Sequence, residues 1–273
     1  MDKSATVEGW QLEGAGAEAY EEHLVPKFFG PWARELVNLV APAAGERVLD
    51  VGCGTGVVAR TAAEAVGPGG SVTGVDVNEG MLATARARAP QGGASLEWRQ
   101  EDASALPFSD GAFDVVLSQQ ALQFVPDPGA VLSEMRRVLR PGGRAGLNVL
   151  RSVRLNPAYL ALAEVLEQHA GKEAGAMMRS PFPEWSTDKL REDLVGAGFR
   201  EVQVRVDVRA VRFPSAGEFL RQEALSSPLG ATIMGMDDAA LQEMIRAAED
   251  RLRDHRDDYG LVFPMETRLL TMR

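Results

Sequence analysis

One nine-residue stretch, V-L-D-V-G-C-G-T-G at residues 48–56, constrains the fold of this chain more than any other. Its three glycines, at positions 52, 54 and 56, follow an apolar run and precede a segment with helical spacing. Glycine allows the backbone to turn tightly and lets a ligand approach the main chain. The free N–H groups at the start of the next helix add donors for that ligand. The stretch therefore predicts a strand, a nucleotide-binding loop and a helix.

Short apolar runs alternate with helical segments through residues 46–150. Strands are predicted at 47–51, 71–76, 95–99, 113–118 and 143–149. Helices are predicted from the glycine loop to residue 66, from about residue 79, and from Asp127-Pro128, where Asp caps the helix and Pro fits its first turn. The apolar face of that third helix comprises Val131, Leu132, Met135, Val138 and Leu139, and P-G-G at 141–143 is expected to end it. This alternation predicts a doubly wound α/β fold, in which a mostly parallel sheet carries helices on both faces.

The flanking regions are less regular. Before the core, Tyr20, Leu24, Phe28 and Trp32 recur at helical spacing, while Pro26 and Pro31 predict two helices or one kinked helix. After it, we expect helices at about 157–168, 186–198 and 241–252, strands at 201–206 and within 259–272, and a loop at 170–185. No linker is visible, so residues 1–273 are interpreted as one domain. Its parts would be a helical leader or lid (1–45), a core (46–150), and an insertion with the substrate-side half (151–273).

Composition narrows the class of protein. The 273 residues include 39 acidic and 29 basic side chains, a net charge of −10, which argues against a large nucleic-acid footprint. A single cysteine, Cys53, excludes a disulfide scaffold and a cysteine-based metal site, and no metal is expected. The chain shows no apolar run of membrane-spanning length and no secretory pattern at its start. We therefore expect a cytoplasmic protein.

An acidic residue supports the nucleotide interpretation. Asp76 ends the second strand, 20 residues after Gly56, where a carboxylate can accept hydrogen bonds from both ribose hydroxyls. The spacing of the glycines argues against a dinucleotide cofactor, because the dinucleotide pattern G-x-G-x-x-G/A requires Gly or Ala at position 57. Val57 occupies that position, and the third glycine is Gly56. A nicotinamide oxidoreductase is therefore disfavoured.

Four segments in order resemble the motifs of class I S-adenosylmethionine-dependent methyltransferases. They are V-L-D-V-G-C-G-T-G, V-D-V-N-E-G-M-L, E-D-A-S-A-L-P-F-S-D-G-A-F-D-V-V-L-S and R-V-L-R-P-G-G-R. The chain is most similar to the small-molecule subgroup related to quinone-biosynthesis C-methyltransferases, and the resemblance covers about residues 20–150. It implies a Rossmann-like, mostly parallel sheet of seven strands, with N-terminal helices and a helical insertion covering the active site.

The resemblance also implies roles for individual residues. Gly52, Gly54 and Gly56 would line the methionine and ribose part of S-adenosylmethionine, and Asp50 would bond near its amino group. Asp76 would hold the ribose, while Val77 and Met81 pack on the adenine. The remaining implied cofactor contacts are Asp102 and Ala103 at the adenine and Gln119 at the methionine end. Cys53 is interpreted as a small filler in the loop.

Candidates for acceptor binding and catalysis are fewer. Methyl transfer from a sulfonium needs chiefly positioning, and a general base only where the acceptor must lose a proton. Tyr20 and His23 are the catalytic candidates, since helical spacing could bring both to one face. Gln123 cannot act as a base, which favours a role in orientation. The substrate-binding candidates are Tyr20, Phe28, Phe29, Gln123 and Trp185.

Two functions remain open on this sequence. The first is methyl transfer to a small molecule, with the acceptor, the choice among O-, N- and C-methylation, and the oligomeric state all undetermined. The second is binding of S-adenosylmethionine without methyl transfer, as in a non-redox cyclase or a binding module. A methyltransferase of RNA or protein is disfavoured by the net charge of −10.

Overall fold

The computed structural model describes residues 10–273 and shows an α/β fold built on one mixed sheet. Its core strands are β1 (Arg47–Val51), β2 (Ser71–Asp76), β3 (Ser95–Gln100), β4 (Phe113–Gln119) and β5 (Leu139–Leu150). The C-terminal half adds β6 (Gln203–Phe213), the two-residue β7 (Arg256–Asp257) and β8 (Gly260–Met272). The strand order is β3-β2-β1-β4-β5-β8-β6, with β7 paired to β8. All pairings among β1–β5 are parallel and all pairings of β8 are antiparallel, which confirms the predicted Rossmann-like sheet.

The helices are named here in chain order. The N-terminal and core helices are α1 (Ala15–Ala19), α2 (Gly30–Val40), α3 (Val57–Val66), α4 (Glu79–Ala87) and α5 (Pro128–Val138). The C-terminal helices are α6 (Pro157–Ala170), α7 (Lys172–Arg179), α8 (Thr187–Gly196), α9 (Ala216–Leu225), α10 (Gly230–Met234) and α11 (Asp238–Arg251). Short 3-10 turns lie at Leu122–Phe124, Val153–Leu155 and Arg253–His255. No helix within residues 10–273 combines the length and apolar character needed to cross a bilayer.

The segment between α1 and α2 is a π-helix, Tyr20–Phe29. At its end the N–H of Gly30 bonds to the carbonyl of Val25, five residues earlier, and a Cβ at Gly30 would lie 2.9 Å from that oxygen. Pro26 lies inside the segment and contributes no N–H donor to it. The leader therefore runs without a break as three consecutive helical pieces, which is nearer to the single kinked helix than to the two helices that the prolines predict.

Three apolar clusters hold the layers together. One lies between α2, α3 and one sheet face, and a second between α5, α8 and the other face. The third joins the π-helix to α6, α7 and α9–α11 around the outer ends of β6 and β8. Because β8 pairs with β5 only from Thr267 onward, its first residues extend beyond the carboxyl end of β5. The third cluster therefore sits over the carboxyl edge of the parallel strands, where doubly wound folds bind ligands.

Several predicted boundaries need correction. Leu139 is extended and begins β5, so α5 ends at Val138 and not at the P-G-G turn. Residues 170–185 contain α7 rather than a continuous loop. The closing strand predicted within 259–272 is confirmed, and it spans Gly260–Met272. The short helices α9 and α10 were not predicted. The caps Asp127 and Ser186 were predicted correctly, and each accepts a hydrogen bond from the third residue after it.

Candidate functional site

A cavity of about 390 Å³ opens at the carboxyl edge of the sheet. Its inner end is built by the last residues of β1, β2 and β4 and by the loops that follow them. This is the point where the strand order reverses between β2-β1 and β4-β5. Two halves of a doubly wound sheet diverge at such a point and leave a crevice for a ligand.

The glycine loop forms the floor of this inner end. A Cβ on Gly54 would meet no atom within 4 Å, so a ligand can approach the backbone there. Gly56, which was expected to line the cofactor site, does not belong to the cavity wall. Its φ is +86°. A Cβ on Gly56 would lie 2.4 Å from the ring of Trp98. Gly56 thus lets α3 approach β3, while Gly52 and Gly54 lie against the cavity.

Asp76 organises the loop from the end of β2. Its Oδ2 accepts a hydrogen bond from the N–H of Gly54 at 2.8 Å, and its Oδ1 accepts one from the N–H of Asn78 at 2.9 Å. Burial raises the pKa of this carboxyl, and the backbone donors oppose that shift. Each carboxylate oxygen retains a lone pair for a further donor, such as a ribose hydroxyl.

One carboxylate oxygen of Asp50 is buried without a hydrogen-bond donor. Its Oδ2 accepts from the N–H of Ala59 at 2.9 Å, whereas its buried Oδ1 has no partner. Burial is the main reason that the pKa of Asp50 rises to about 7. An unpaired buried oxygen is costly, so the pattern fits a ligand that brings a donor. The implied amino group of S-adenosylmethionine is such a donor.

The other predicted cofactor residues also lie along this wall. Val77, Met81, Asp102, Ala103 and Gln119 all line the cavity. The Gln119 side chain donates to the carbonyl of Phe29 at 2.9 Å, and its buried Oε1 has no partner. Asp50, Thr55, Gln119 and Gln123 each have a buried oxygen without a partner, and all four residues belong to the cavity wall. These residues fit a polar, cationic ligand such as S-adenosylmethionine.

The outer end of the cavity is mostly apolar. Its wall includes Tyr20, Leu24, Phe28 and Phe29 from the π-helix, Leu150 from β5, Tyr159 from α6, Met178 from α7, Phe182 and Met265. Tyr20 stacks on Phe29 with ring centroids 5.0 Å apart. Within residues 10–273, no lysine, arginine or histidine belongs to the cavity wall.

Two predicted site residues lie elsewhere. His23 is absent from the wall although Tyr20 belongs to it. The wider turn of the π-helix places residues three apart further from a common face than an α-helix does. Trp185 packs on the cluster between α5, α8 and the sheet, and Phe182 takes its place at the cavity. The structure therefore gives neither His23 nor Trp185 a direct place in the site.

The main residue that sequence reasoning missed is Glu223 on α9. It is 5% exposed, lines the cavity, and accepts a hydrogen bond from the hydroxyl of Tyr159 at 2.5 Å. Its only sequence signal is an acidic residue at helical spacing from the apolar Phe219 and Leu220, and α9 itself was not predicted. Trp10 was missed as well: it lines the cavity, donates to Ser180 at 2.8 Å and contacts Phe124.

The chain is similar in sequence to known methyltransferases. Residues 49–147 match the family model described as a methyltransferase domain. The chain is 37% identical to nocamycin O-methyltransferase of Saccharothrix syringae over 203 residues, which cover 70% of this chain and 72% of that protein. It is 41% identical to 2-phytyl-1,4-naphtoquinone methyltransferase of Synechococcus elongatus over 118 residues, or 42% of this chain and 51% of that one.

Solved structures share the fold at lower sequence identity. The S-adenosyl-L-methionine complex of Haemonchus contortus phosphoethanolamine N-methyltransferase 2 has a TM-score of 0.59 at 20% identity, covering 94% of this chain and 56% of that one. The [4+2]-cyclase SpnF has a TM-score of 0.52 at 23% identity, covering 89% of this chain and 80% of that one. At these identities the likeness concerns the fold alone.

Proposed function

The chain belongs to the family of S-adenosylmethionine-dependent methyltransferases that act on small molecules, and from that membership we propose that its acceptor is a neutral, largely apolar compound. One observation carries the proposal. A single cavity joins a polar end at the strand termini to an apolar end built by the π-helix and the C-terminal helices. The polar end suits the cofactor, and the apolar end is the space left for the acceptor.

The residues of the chain contribute positioning. We assign the floor of the cofactor site to Gly52 and Gly54, the ribose to Asp76, and the amino group to Asp50. Bound S-adenosylmethionine supplies a methyl group on a positively charged sulfur, which transfers by in-line displacement. The apolar wall excludes water and holds the acceptor in line, and such orientation accounts for much of the rate enhancement in reactions of this kind.

The charge of the wall supports the choice of acceptor. Asp50, Asp76 and Glu223 belong to it, whereas no basic side chain in the described part of the chain does. A phosphate or another strong anion would find no cationic partner there, and buried charges require one. The same acidic character suits the sulfonium cation.

We extend the proposal to two further points. The segment from Trp10 to Phe29 would serve as a lid over the cavity. The protein would work in a reducing compartment such as the cytoplasm, since Cys53 is a free, buried thiol.

The test separates cofactor binding from transfer. The purified protein is titrated with S-adenosylhomocysteine and NADH by calorimetry, then incubated with S-adenosylmethionine and a panel of flat aromatic hydroxyl, amine and quinol compounds. We expect the S-adenosyl compound alone to bind, and one panel member to gain one methyl group by mass spectrometry. Lack of binding would contradict the cofactor site. Binding with a cyclised or isomerised product, and no methylated one, would favour the alternative of cofactor binding without transfer.

A further inference from the structure

Glu223 places a carboxylate in an apolar wall. Its Oε1 is engaged by the Tyr159 hydroxyl at 2.5 Å. No residue from 12 to 273 donates a hydrogen bond to its Oε2, and the Glu223 side chain belongs to the cavity wall. Its partner Tyr159 is surrounded by aromatic rings, those of Phe28, Phe182, Phe219 and Phe263. A carboxylate beside such side chains is costly to bury, so a molecule that uses Oε2 would explain its presence.

The charged and titratable groups near Glu223 come from two elements. Tyr159 approaches from α6, and Lys27 and Tyr20 approach from the π-helix. Lys27 forms no ion pair with Glu223: its amino group donates to the carbonyl of His23 and lies over the Phe213 ring. Burial raises the pKa of Glu223 to about 7, while the Tyr159 hydrogen bond and Lys27 oppose that rise. A carboxyl with this pKa is poised to exchange a proton near neutral pH.

Tyr20 links this carboxylate to the cofactor end of the cavity. Its pKa is raised mainly by burial and further by the charges of Glu21, Asp76 and Glu223. Tyr20 is therefore near both Asp76 at the cofactor end and Glu223 at the acceptor end. An acceptor lying against Tyr20 would have one side toward the methyl group and the other toward Glu223.

We propose that Glu223 is the base that removes a proton from a hydroxyl group of the acceptor, and that the acceptor is accordingly an apolar phenol or enol. This rests on the function proposed above. The acceptor O–H proton passes to Oε2 of Glu223, the oxygen electron pair forms the new C–O bond, and the C–S bond breaks with its pair remaining on sulfur. The protonated Glu223 then releases its proton to water.

Other acceptor chemistries fit this geometry less well. A neutral amine attacks without first losing a proton, so it does not require a base at Glu223. A carboxylate acceptor would be repelled by Glu223 and would meet no cation on the wall formed by residues 10–273. A phenol has a pKa of about 10 and is a weak nucleophile until its proton leaves, which is the task that Glu223 would perform.

The test uses a matched pair of flat probes, 2-naphthol and 2-methoxynaphthalene, which differ only in the hydroxyl proton and one methyl group. Their dissociation constants are measured calorimetrically in the presence of S-adenosylhomocysteine. We expect the wild type to prefer 2-naphthol by about tenfold at pH 8, the scale of a hydrogen bond to a charged acceptor. Glu223→Gln should lose that preference. The wild-type preference should also fall below pH 7, whereas that of the variant stays flat.

Controls separate the possible failures. Glu218→Gln lies on the same helix and outside the cavity wall, so it should retain the wild-type preference. Tyr159→Phe should retain the preference but move its pH midpoint upward, because the Tyr159 hydrogen bond lowers the pKa of Glu223. An unchanged preference in Glu223→Gln, or no preference in the wild type, overturns the proposal. Stronger binding of 2-naphthoate than of 2-naphthol overturns the hydroxyl assignment. If the wild type does not bind S-adenosylhomocysteine, the proposed cofactor site itself is refuted.

Discussion

Replacing Asp76 with alanine tests the cofactor site most directly. The carboxylate already accepts hydrogen bonds from Gly54 at 2.8 Å and Asn78 at 2.9 Å, and its remaining lone pairs face the cavity. A hydrogen bond to a charged group contributes roughly 1.5–3 kcal/mol. Loss of the ribose bonds should therefore weaken S-adenosylhomocysteine binding by about 10- to 150-fold at 25 °C.

The alanine variant also removes the two backbone hydrogen bonds, so loosening of the loop must be separated from loss of ribose contacts. Calorimetric titration with S-adenosylhomocysteine and its 2′-deoxy analogue, in the wild type and in Asp76→Ala, forms a double cycle. The wild type should bind the deoxy analogue more weakly, and Asp76→Ala should bind both ligands alike. Asp76→Asn, which retains one acceptor oxygen, should fall between the two proteins. If Asp76→Ala still discriminates between the ligands, the ribose assignment is refuted.

Three further predictions concern the loop, the buried carboxyls and the lid. Gly56→Ala should lower the free energy of unfolding in urea by about 1–3 kcal/mol more than Gly67→Ala, since both have positive φ but only Gly56 faces a close ring. Equal losses would refute the packing argument. The pKa of Asp50 is raised to about 7, so between about pH 4 and pH 7 the ligand-free folded state binds more protons than the unfolded state, and thermal stability should fall as the pH rises through that range and level off above it. Asp50→Asn should flatten that fall, and an unchanged slope would contradict it. Trp10→Phe loses the hydrogen bond to Ser180 and should speed release of S-adenosylhomocysteine about fivefold in stopped flow, whereas an unchanged rate would remove Trp10 from the lid.

The core of the fold was accessible from sequence because its signals are local. The β2 prediction at 71–76 agrees with the observed strand to the residue, since apolar runs bounded by glycine and asparagine specify strands directly. The cap of α5 at Asp127 follows in the same way from the side-chain chemistry of a single position. Together with β1 and β4, which were also predicted, β2 builds the cofactor end of the cavity.

The acceptor end was less predictable because tertiary packing decides it. Glu223 looks like a surface residue in sequence, and only the packing of α9 against the π-helix and α6 brings it to the cavity. The expected position of His23 was wrong for a related reason, because it assumed that Tyr20 and His23 lie on one face of an α-helix. The assignment of Trp185 assumed that all apolar residues in one loop face the same way, whereas Phe182 and Trp185 pack into different clusters.

Because the segment Tyr20–Phe29 is a π-helix, an insertion or deletion of one residue in it can alter the acceptor end of the cavity, as a substitution can. An α-helix turns by about 100° per residue. Deleting one residue in this segment and restoring α-helical pairing would rotate everything before the deletion by about that angle, while α2 keeps its place on the sheet. Tyr20 and the Trp10 segment would then leave the cavity together, and Phe28 and Phe29 would remain. A single-codon insertion or deletion in this segment would therefore exchange one wall of the pocket and leave the cofactor machinery intact, which is an economical route for related enzymes to acquire different acceptors.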